Sequence, residues 1–290
     1  MNRIVILGHT GFIGNALRQH LERSDREVLG FSSRALDLRR ADALQPLEAA
    51  LDPDAVVIFA SAITREKGDT PKTLQDNIAM AANLGVLAES RPPARLVCLS
   101  SDAVYPMQDH PVNEDTPVAP GGTFYAIAKY TAECVLRKSA EAKGIPLLVL
   151  RPTAVFGPGD THNSYGPNAF LRAILRDRVV RVFGRGEERR DHLYIGDLVR
   201  GVEHLIDAGA EGTFNLATGV SRSFAQVVDE IRRVVPLEFE VSYQPRRAPI
   251  THREFDVARF VRHAPGFQFT DFGRALRETF EGFQTPAGTS

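Results

Sequence analysis

Short apolar runs recur through the first half of the chain, separated by longer amphipathic stretches. Residues 4–7, 28–31, 55–60, 96–99 and 147–150 are almost entirely apolar, with Val, Ile and Leu dominant. Strands covered on both faces read this way. Between them, residues 12–23, 73–89 and 124–142 space their apolar positions as helices do. Pro46 and Pro53 bracket a further short helical stretch. The alternation predicts an α/β fold with a doubly wound parallel sheet.

The pattern changes after Arg151-Pro152. Residues 157–167 (GPGDTHNSYGP) are rich in Gly, Pro, Asn and Asp and form a long loop. A loop of that length in a compact protein is often functional. Helices are predicted at 168–177, 195–207, 224–235 and 272–283, with short strands at 179–183, 213–216 and 239–243. This is a smaller, C-terminal-weighted α/β lobe. No internal repeat or low-complexity tract is visible.

Composition narrows the partners. A length of 290 residues suits one large α/β domain, or one with a small appendage. Hydrophobic residues make up 43%, which supports a large core and excludes global disorder. Lys and Arg total 35 against 36 Asp and Glu, so neither nucleic acid nor an anionic membrane surface is an expected partner. The two cysteines, Cys98 and Cys134, form no CxxC and no Cys/His cluster. A disulfide framework, a zinc site and any other metal centre are not expected, and a reducing cytoplasm suits the chain. Both cysteines read as packing residues, and His192 and His204 as non-catalytic. No apolar run approaches the roughly 18 residues of a membrane helix. The polar, glycine-rich turn after residue 7 does not continue as a signal peptide.

Candidate chemistry begins at that turn. Gly8-His-Thr-Gly11-Phe12-Ile13-Gly14 follows the first strand and opens the first helix. Glycine there permits a tight turn, close approach of backbone to a pyrophosphate, and close helix-on-strand packing. The helix N-terminus supplies unpaired N–H groups to phosphate. A dinucleotide site usually carries an acidic residue about 20 positions on, bonded to a ribose 2′-OH. Here the second strand ends Phe31-Ser32-Ser33-Arg34, without a carboxylate. Two hydroxyls and a guanidinium suit a 2′-phosphate, so NADP(H) is favoured over NAD(H). Asp37 and Leu38 follow, positioned to close over the adenine edge of a dinucleotide.

Tyr125 and Lys129 stand at i and i+4, hence on one helix face. An ammonium one turn away suits a phenol to general acid/base work. Upstream, Ser100-Ser101-Asp102 closes a buried strand, and ligand sites in open parallel sheets lie at strand C-terminal ends. A serine hydroxyl there can bind a reacting carbonyl or alkoxide oxygen.

With these residues in place, the chain resembles the extended short-chain dehydrogenase/reductase family of NAD(P)-dependent nucleotide-sugar epimerases, dehydratases and reductases. The resemblance runs through GHTGFIG at Gly8, SSDAVY at Ser100, YAIAK at Tyr125, LRPTAVFGPGD at Leu150, VFGRGEERRDHLYIGD at Val182 and TFNLATG at Thr213. It implies a Rossmann-type cofactor domain at 1–152 carrying Ser101, Tyr125 and Lys129 as catalytic residues. Residues 153–290 would form mainly a substrate lobe, with some segments returning to the first domain. Tyr125 would be the acid/base, Lys129 would also hold the nicotinamide ribose, and Ser101 would bind the reacting oxygen. Ala60 and Ser61 would line the dinucleotide cleft, with Asn77 nearby. Asp102, Arg190 and Arg253 match substrate-binding positions, the arginines gripping the diphosphate of a nucleotide sugar. A homodimer is implied through the helices at 73–89 and 124–142.

Two departures matter. Dehydratases of the family typically carry Thr-Asp-Glu where this chain has Ser101-Asp102-Ala103. Ala103 cannot remove a C5 proton, so water elimination is disfavoured. Ala154 stands where many members hold the substrate phosphate with Asn. Residues 29–38 resemble the matching passage of 4-ketohexose reductases, so net reduction with NADPH is the leading expectation. A C4 epimerase with tightly bound NAD is the close alternative, and a non-catalytic dinucleotide sensor the remote one.

Overall fold

In the computed structural model, which describes residues 3–284 except 109 and 247, the five predicted apolar runs are the first five strands. They are β1 (Arg3–Leu7), β2 (Glu27–Phe31), β3 (Ala55–Phe59), β4 (Arg95–Leu99) and β5 (Leu147–Pro152). Every residue of β3, β4 and β5 is buried, as both-face coverage requires. The pairs β1–β2, β1–β3, β3–β4 and β4–β5 all run parallel. Helices α1 (Phe12–Leu21), α2 (Gln45–Ala50), α3 (Pro71–Ser90) and α4 (Phe124–Lys143) lie between them in sequence. This is the expected Rossmann-type α/β arrangement.

Sequence chemistry sets the helix ends. Thr70 and Thr73 form a capping box at the start of α3, with Pro71 at its first position. Thr123 accepts the Ala126 N–H at 3.0 Å at the start of α4. Gly144, at φ 64°, closes α4 in the left-handed conformation that glycine adopts without penalty.

Later helices are α5 (Pro167–Asp177), α6 (Ile195–Asp207), α7 (Phe224–Val234), α8 (Ala258–His263) and α9 (Phe272–Gln284). Later strands are β6 (Ala154–Phe156), β7 (Val179–Phe183), β8 (Arg189–Tyr194), β9 (Gly212–Leu216), β10 (Ser221–Ser223) and β11 (Glu240–Gln244). Strand β9 completes a six-stranded sheet in the order β2-β1-β3-β4-β5-β9. Strands β7 and β11 pair in parallel, and a three-stranded sheet is ordered β10-β8-β6.

The apolar pattern does not anticipate strands β6, β8 and β10 or helix α8. Strand β8 reads Arg-Arg-Asp-His-Leu-Tyr, which has no apolar alternation. It is a strand because β6 and β10 flank it and because Asp191 is fully bonded inside the fold.

The chain divides into two compact units. The first comprises Met1–Pro106, Glu114–Pro152 and Val199–Asn215; the second comprises Met107–Asn113, Thr153–Leu198 and Leu216–Ser290. The core of the first is built on β1, β3, β4 and β5 with α3 and α4, including Val5, Val57, Leu84, Leu96 and Leu136. The second has its own aromatic-rich core, with Phe156, Phe170, Phe224, Phe272 and Phe280 buried. Cys98 is buried in β4 as expected, and burial pushes its thiol up to about 12. Cys134 departs from the packing assignment: it lies on the exposed side of α4.

Candidate active site

The sheet order reverses at β1, whose two neighbours are β2 and β3. In open α/β sheets ligands bind outside the strand C-termini at such a switch point. The glycine-rich turn leaves β1 there, and Ala60 and Ser61 leave β3. The Gly8 N–H donates to Phe31 O at 2.8 Å, and the Ala60 N–H to Leu7 O at 3.0 Å, so the three strand ends lie side by side. A Cβ at Gly8 would meet Ser61 atoms at 3.0 Å, and Gly8 itself has φ +90°. A Cβ at Gly14 would overlap the Gly8 carbonyl. Glycine is therefore required at both positions. Gly11 caps α1, and the first-turn amides that follow at Phe12, Ile13 and Gly14 lack intrahelical acceptors. This backbone cradle, closed to side chains, fits a pyrophosphate.

A pocket in the first unit is lined by Ser61, Asn77, Leu99, Tyr125 and Lys129, with Phe59 behind. Thus four residues selected from the sequence converge. The Asn77 side chain is not free: Oδ1 accepts the Ile63 N–H at 2.8 Å and Nδ2 donates to Ile63 O at 3.1 Å. Asn77 shapes the loop after β3 from its buried place on α3. Lys129 is buried, with Nζ donating to Leu99 O at 2.6 Å and lying 5.7 Å from the Tyr125 ring centroid. The bond holds the ammonium at the end of β4. The Tyr125 N–H in the first turn of α4 donates to Asp69 Oδ1 at 3.0 Å. Ser101 is not among the pocket walls. Its Oγ accepts the Ala103 N–H at 3.1 Å, capping a short turn over Asp102–Val104.

Behind the tyrosine and lysine lies a buried polar network that sequence reading missed. Glu133, one turn beyond Lys129, is 1% exposed and pairs with Arg151 at 2.6 Å and 3.0 Å. Ser100 also donates to Glu133. Arg151 Nη1 donates to Tyr105 Oη at 2.8 Å, and Tyr105 donates to Asn215 Oδ1 at 2.8 Å. Burial alone would lower the Arg151 guanidinium, but hydrogen bonds and charge contact with Glu133 outweigh it and leave it raised. Ser100 is thus a fastening residue for α4. The signal available in the sequence was the repeat of Tyr125, Lys129 and Glu133 at four-residue spacing.

The residues assigned to the adenosine end leave the sheet together. Ser32 starts a turn, its O accepting the Ala35 and Leu36 N–H groups at 3.1 and 2.9 Å. Ser33 and Arg34 are exposed, and Arg34 makes no ion pair among the described residues. Asp37 is engaged by Arg39 through 2.8 and 2.7 Å bonds, and that guanidinium lowers its carboxyl. Leu38 is buried, and its carbonyl accepts Asn83 Nδ2 at 2.8 Å.

In the second unit, Arg190 Nη1 donates to Thr251 O at 2.6 Å and Nη2 to Thr251 Oγ1 at 3.1 Å. The Arg253 N–H donates to Arg189 O at 3.0 Å, so both candidate arginines belong to one neighbourhood. Arg253 is buried, with Nη2 3.1 Å from Met107 Sδ. Asp191, by contrast, is fully buried and accepts from Thr218 and Gly219. Burial pushes its carboxyl up to about 6 against those bonds. In the long loop Asp160 is a hub, accepting from His162, Asn163, Asn168 and Arg172. Tyr165 packs among Phe170, Phe183 and Phe224, with its hydroxyl accepting the Phe183 N–H at 3.1 Å.

A parallel sheet with a glycine cradle at its switch point and a Tyr/Lys-lined pocket at its strand ends defines a dinucleotide-dependent enzyme of the short-chain dehydrogenase/reductase type. Residues 4–217 match the model of the NAD dependent epimerase/dehydratase family, and the chain belongs to that family, the extended branch of this class. It is 28% identical over 271 residues to a UDP-glucose 4-epimerase of Mycolicibacterium smegmatis, covering 84% of this chain and 86% of the relative. The fold matches UDP-glucose 4-epimerase from Thermus thermophilus in complex with NAD, at TM-score 0.86 and 20% identity over 97% of this chain and 99% of that one. It also matches a GDP-L-fucose synthetase from Naegleria fowleri bound to NADP, at TM-score 0.83 and 22% identity over 98% and 94% of the two chains. No helix among the described residues is long and apolar enough to cross a membrane.

Proposed function

We propose that the protein is a nucleotide-sugar 4-epimerase, oxidising and re-reducing C4 of a hexose linked to a nucleoside diphosphate. The observation that carries C4 redox chemistry is the strand-end pocket that gathers Tyr125 and Lys129 beside Ser61 and Asn77. The choice of epimerase over the reductase favoured by residues 29–38 rests on the 28% identical UDP-glucose 4-epimerase. The first unit is the cofactor domain and the second the substrate lobe.

The backbone of Gly8, Gly11, Phe12, Ile13 and Gly14 holds the pyrophosphate, and Ala60, Ser61 and Asn77 shape the cleft. A bound nicotinamide would supply the acceptor and donor of the C4 hydride. Tyr125 takes the proton of the C4 hydroxyl as that carbon is oxidised and gives it back on reduction. Lys129, fixed by Leu99 O, keeps positive charge near the phenol oxygen and holds the nicotinamide ribose. Ser101 hydrogen-bonds the reacting oxygen, Asp102 contacts the sugar, and Arg190 and Arg253 grip the diphosphate. A homodimer forms through α3 and α4, where Val86 is 70% exposed.

Incubation with UDP-glucose and catalytic amounts of cofactor tests this. Formation of the C4 epimer without net change in nicotinamide absorbance is expected. Absence of epimer, with stoichiometric NADPH consumption on a 4-ketosugar, would replace the epimerase with the reductase.

The second reading has its own observation, the exposed, unpaired Arg34 beside Ser32 and Ser33. No strand-end carboxylate repels a 2′-phosphate, and Arg34 is available to pair with one. A charged hydrogen bond contributes about 1.5–3 kcal/mol, roughly ten- to over a hundredfold in affinity. On this reading NADPH binds tighter than NADH, with Arg34→Ala erasing most of the difference, by fluorescence titration. Equal or tighter NADH binding by the wild type removes the reductase reading.

A further inference from the structure

The second unit holds a cavity of about 110 Å3 whose walls include His192, Arg222, Phe156, Phe269 and Phe272. None of these residues has a place in the proposed reaction. His192 is 3% exposed, yet neither ring nitrogen has a hydrogen-bond partner among the described residues. A neutral imidazole carries one donor and one acceptor, and leaving both unpaired in the interior is costly. Arg222 is equally unusual. It forms no ion pair among the described residues; its contacts are the Phe272 ring, 4.2 Å from the guanidinium carbon, and a long bond to Val220 O at 3.3 Å.

Strand register explains why the two groups meet. Arg222 on β10 lies opposite Arg190 on β8, and His192 is two residues along β8 on the same face. Diagonal neighbours of this kind are about 7–8 Å apart. The carboxylates that act on Arg222 through space are Asp191, Glu230 and Asp271, and each is bonded elsewhere: Asp191 to Thr218 and Gly219, Glu230 to Arg233, and Asp271 to the Arg274 N–H. Asp197, also in the cavity wall, accepts from the Thr270 backbone and hydroxyl. The cavity therefore combines a guanidinium without a direct carboxylate partner, an unpaired imidazole and three phenylalanine rings.

We propose that this cavity binds a short-chain organic carboxylate, its oxygens facing Arg222 and His192 and its apolar body lying against Phe156, Phe269 and Phe272. A carboxylate matches the planar guanidinium fork. The apolar walls favour a carbon skeleton over a bare inorganic anion. The size agrees, since an apolar cavity of roughly 150 Å3 holds benzene.

The test uses the whole protein, labelled at its histidine ring nitrogens and titrated with isobutyrate. The His192 signals are identified by their loss in His192→Phe. A saturable shift is expected, with a dissociation constant of about 1 mM or tighter. Isobutyramide, which has the same shape without charge, should bind at least about tenfold more weakly, as should isobutyrate to Arg222→Leu. Arg222→Gln replaces that variant if circular dichroism shows it unfolded. Unmoved His192 signals, or equal binding of acid and amide, overturn the proposal. Displacement of isobutyrate by UDP also overturns it, because the cavity would then belong to the nucleotide-sugar site. These readouts do not depend on turnover, so they stand apart from the epimerase reading.

Discussion

At the scale of single residues, the proposed reaction turns on Tyr125. Lys129, one turn along, has one proton committed to Leu99 O. Replacing Tyr125 with Phe removes one oxygen and leaves the ring in place. Turnover is expected to fall by about two to four orders of magnitude, the usual worth of acid/base catalysis, with cofactor affinity unchanged by fluorescence titration. A near-normal kcat would take Tyr125 out of the reaction. Arg190 and Arg253 answer to a different readout. Either change to Ala should weaken nucleoside diphosphate binding by about 1.5–3 kcal/mol. Calorimetry showing unchanged affinity in both variants would end their assignment to the diphosphate.

At the scale of elements, α4 is fastened to β5 by a buried pair. Glu133 on α4 and Arg151 on β5 form a pair whose side chains are 1% and 5% exposed. Removing one partner strands a buried charge and costs roughly 3–5 kcal/mol, whereas replacing both with apolar groups can be nearly neutral. Glu133→Gln is therefore expected to lower unfolding free energy by several kcal/mol in urea. The double change Glu133→Leu with Arg151→Met should recover most of it. Equal loss in the single and double variants would mean that the bonds to Ser100 and Tyr105, not the charge pair, hold α4.

For the molecule as a whole, the second unit carries two opposed pH sensitivities in adjacent residues of β8. Burial holds the His192 imidazole down to about 3, with Arg222 and Arg190 adding to the effect. An unfolded histidine titrates near 6.5. Its stabilisation is thus fully present above that value and is lost as pH falls toward 3. The Asp191 carboxyl, raised to about 6 from 3.8, contributes stability that is present below 3.8 and lost as pH rises through 6. His192→Phe isolates the first effect. Between pH 7 and 5 the wild type should lose about 2 kcal/mol more than the variant, measured by urea unfolding at each pH. Parallel losses would mean that His192 is not held neutral in the fold.

The six-stranded sheet's first five strands and the glycine turn can be read from the chain alone. Strands β1 to β5 are legible because burial on both faces leaves an apolar signature independent of distant residues. Gly8 and Gly14 are legible because local backbone geometry excludes a Cβ there. Tyr125 and Lys129 are legible because helical periodicity puts them on one face. Strand β8 was hidden because its Asp191 and His192 are buried by neighbours drawn from residues 154–156 and 218–222, which no local pattern records. The same holds for Glu133, whose partner Arg151 lies 18 residues on and whose donor Ser100 lies 33 residues back. Burial of a polar residue is decided by long-range contacts, so no local pattern could separate Arg222, which makes no direct ion pair among the described residues, from the many arginines that do.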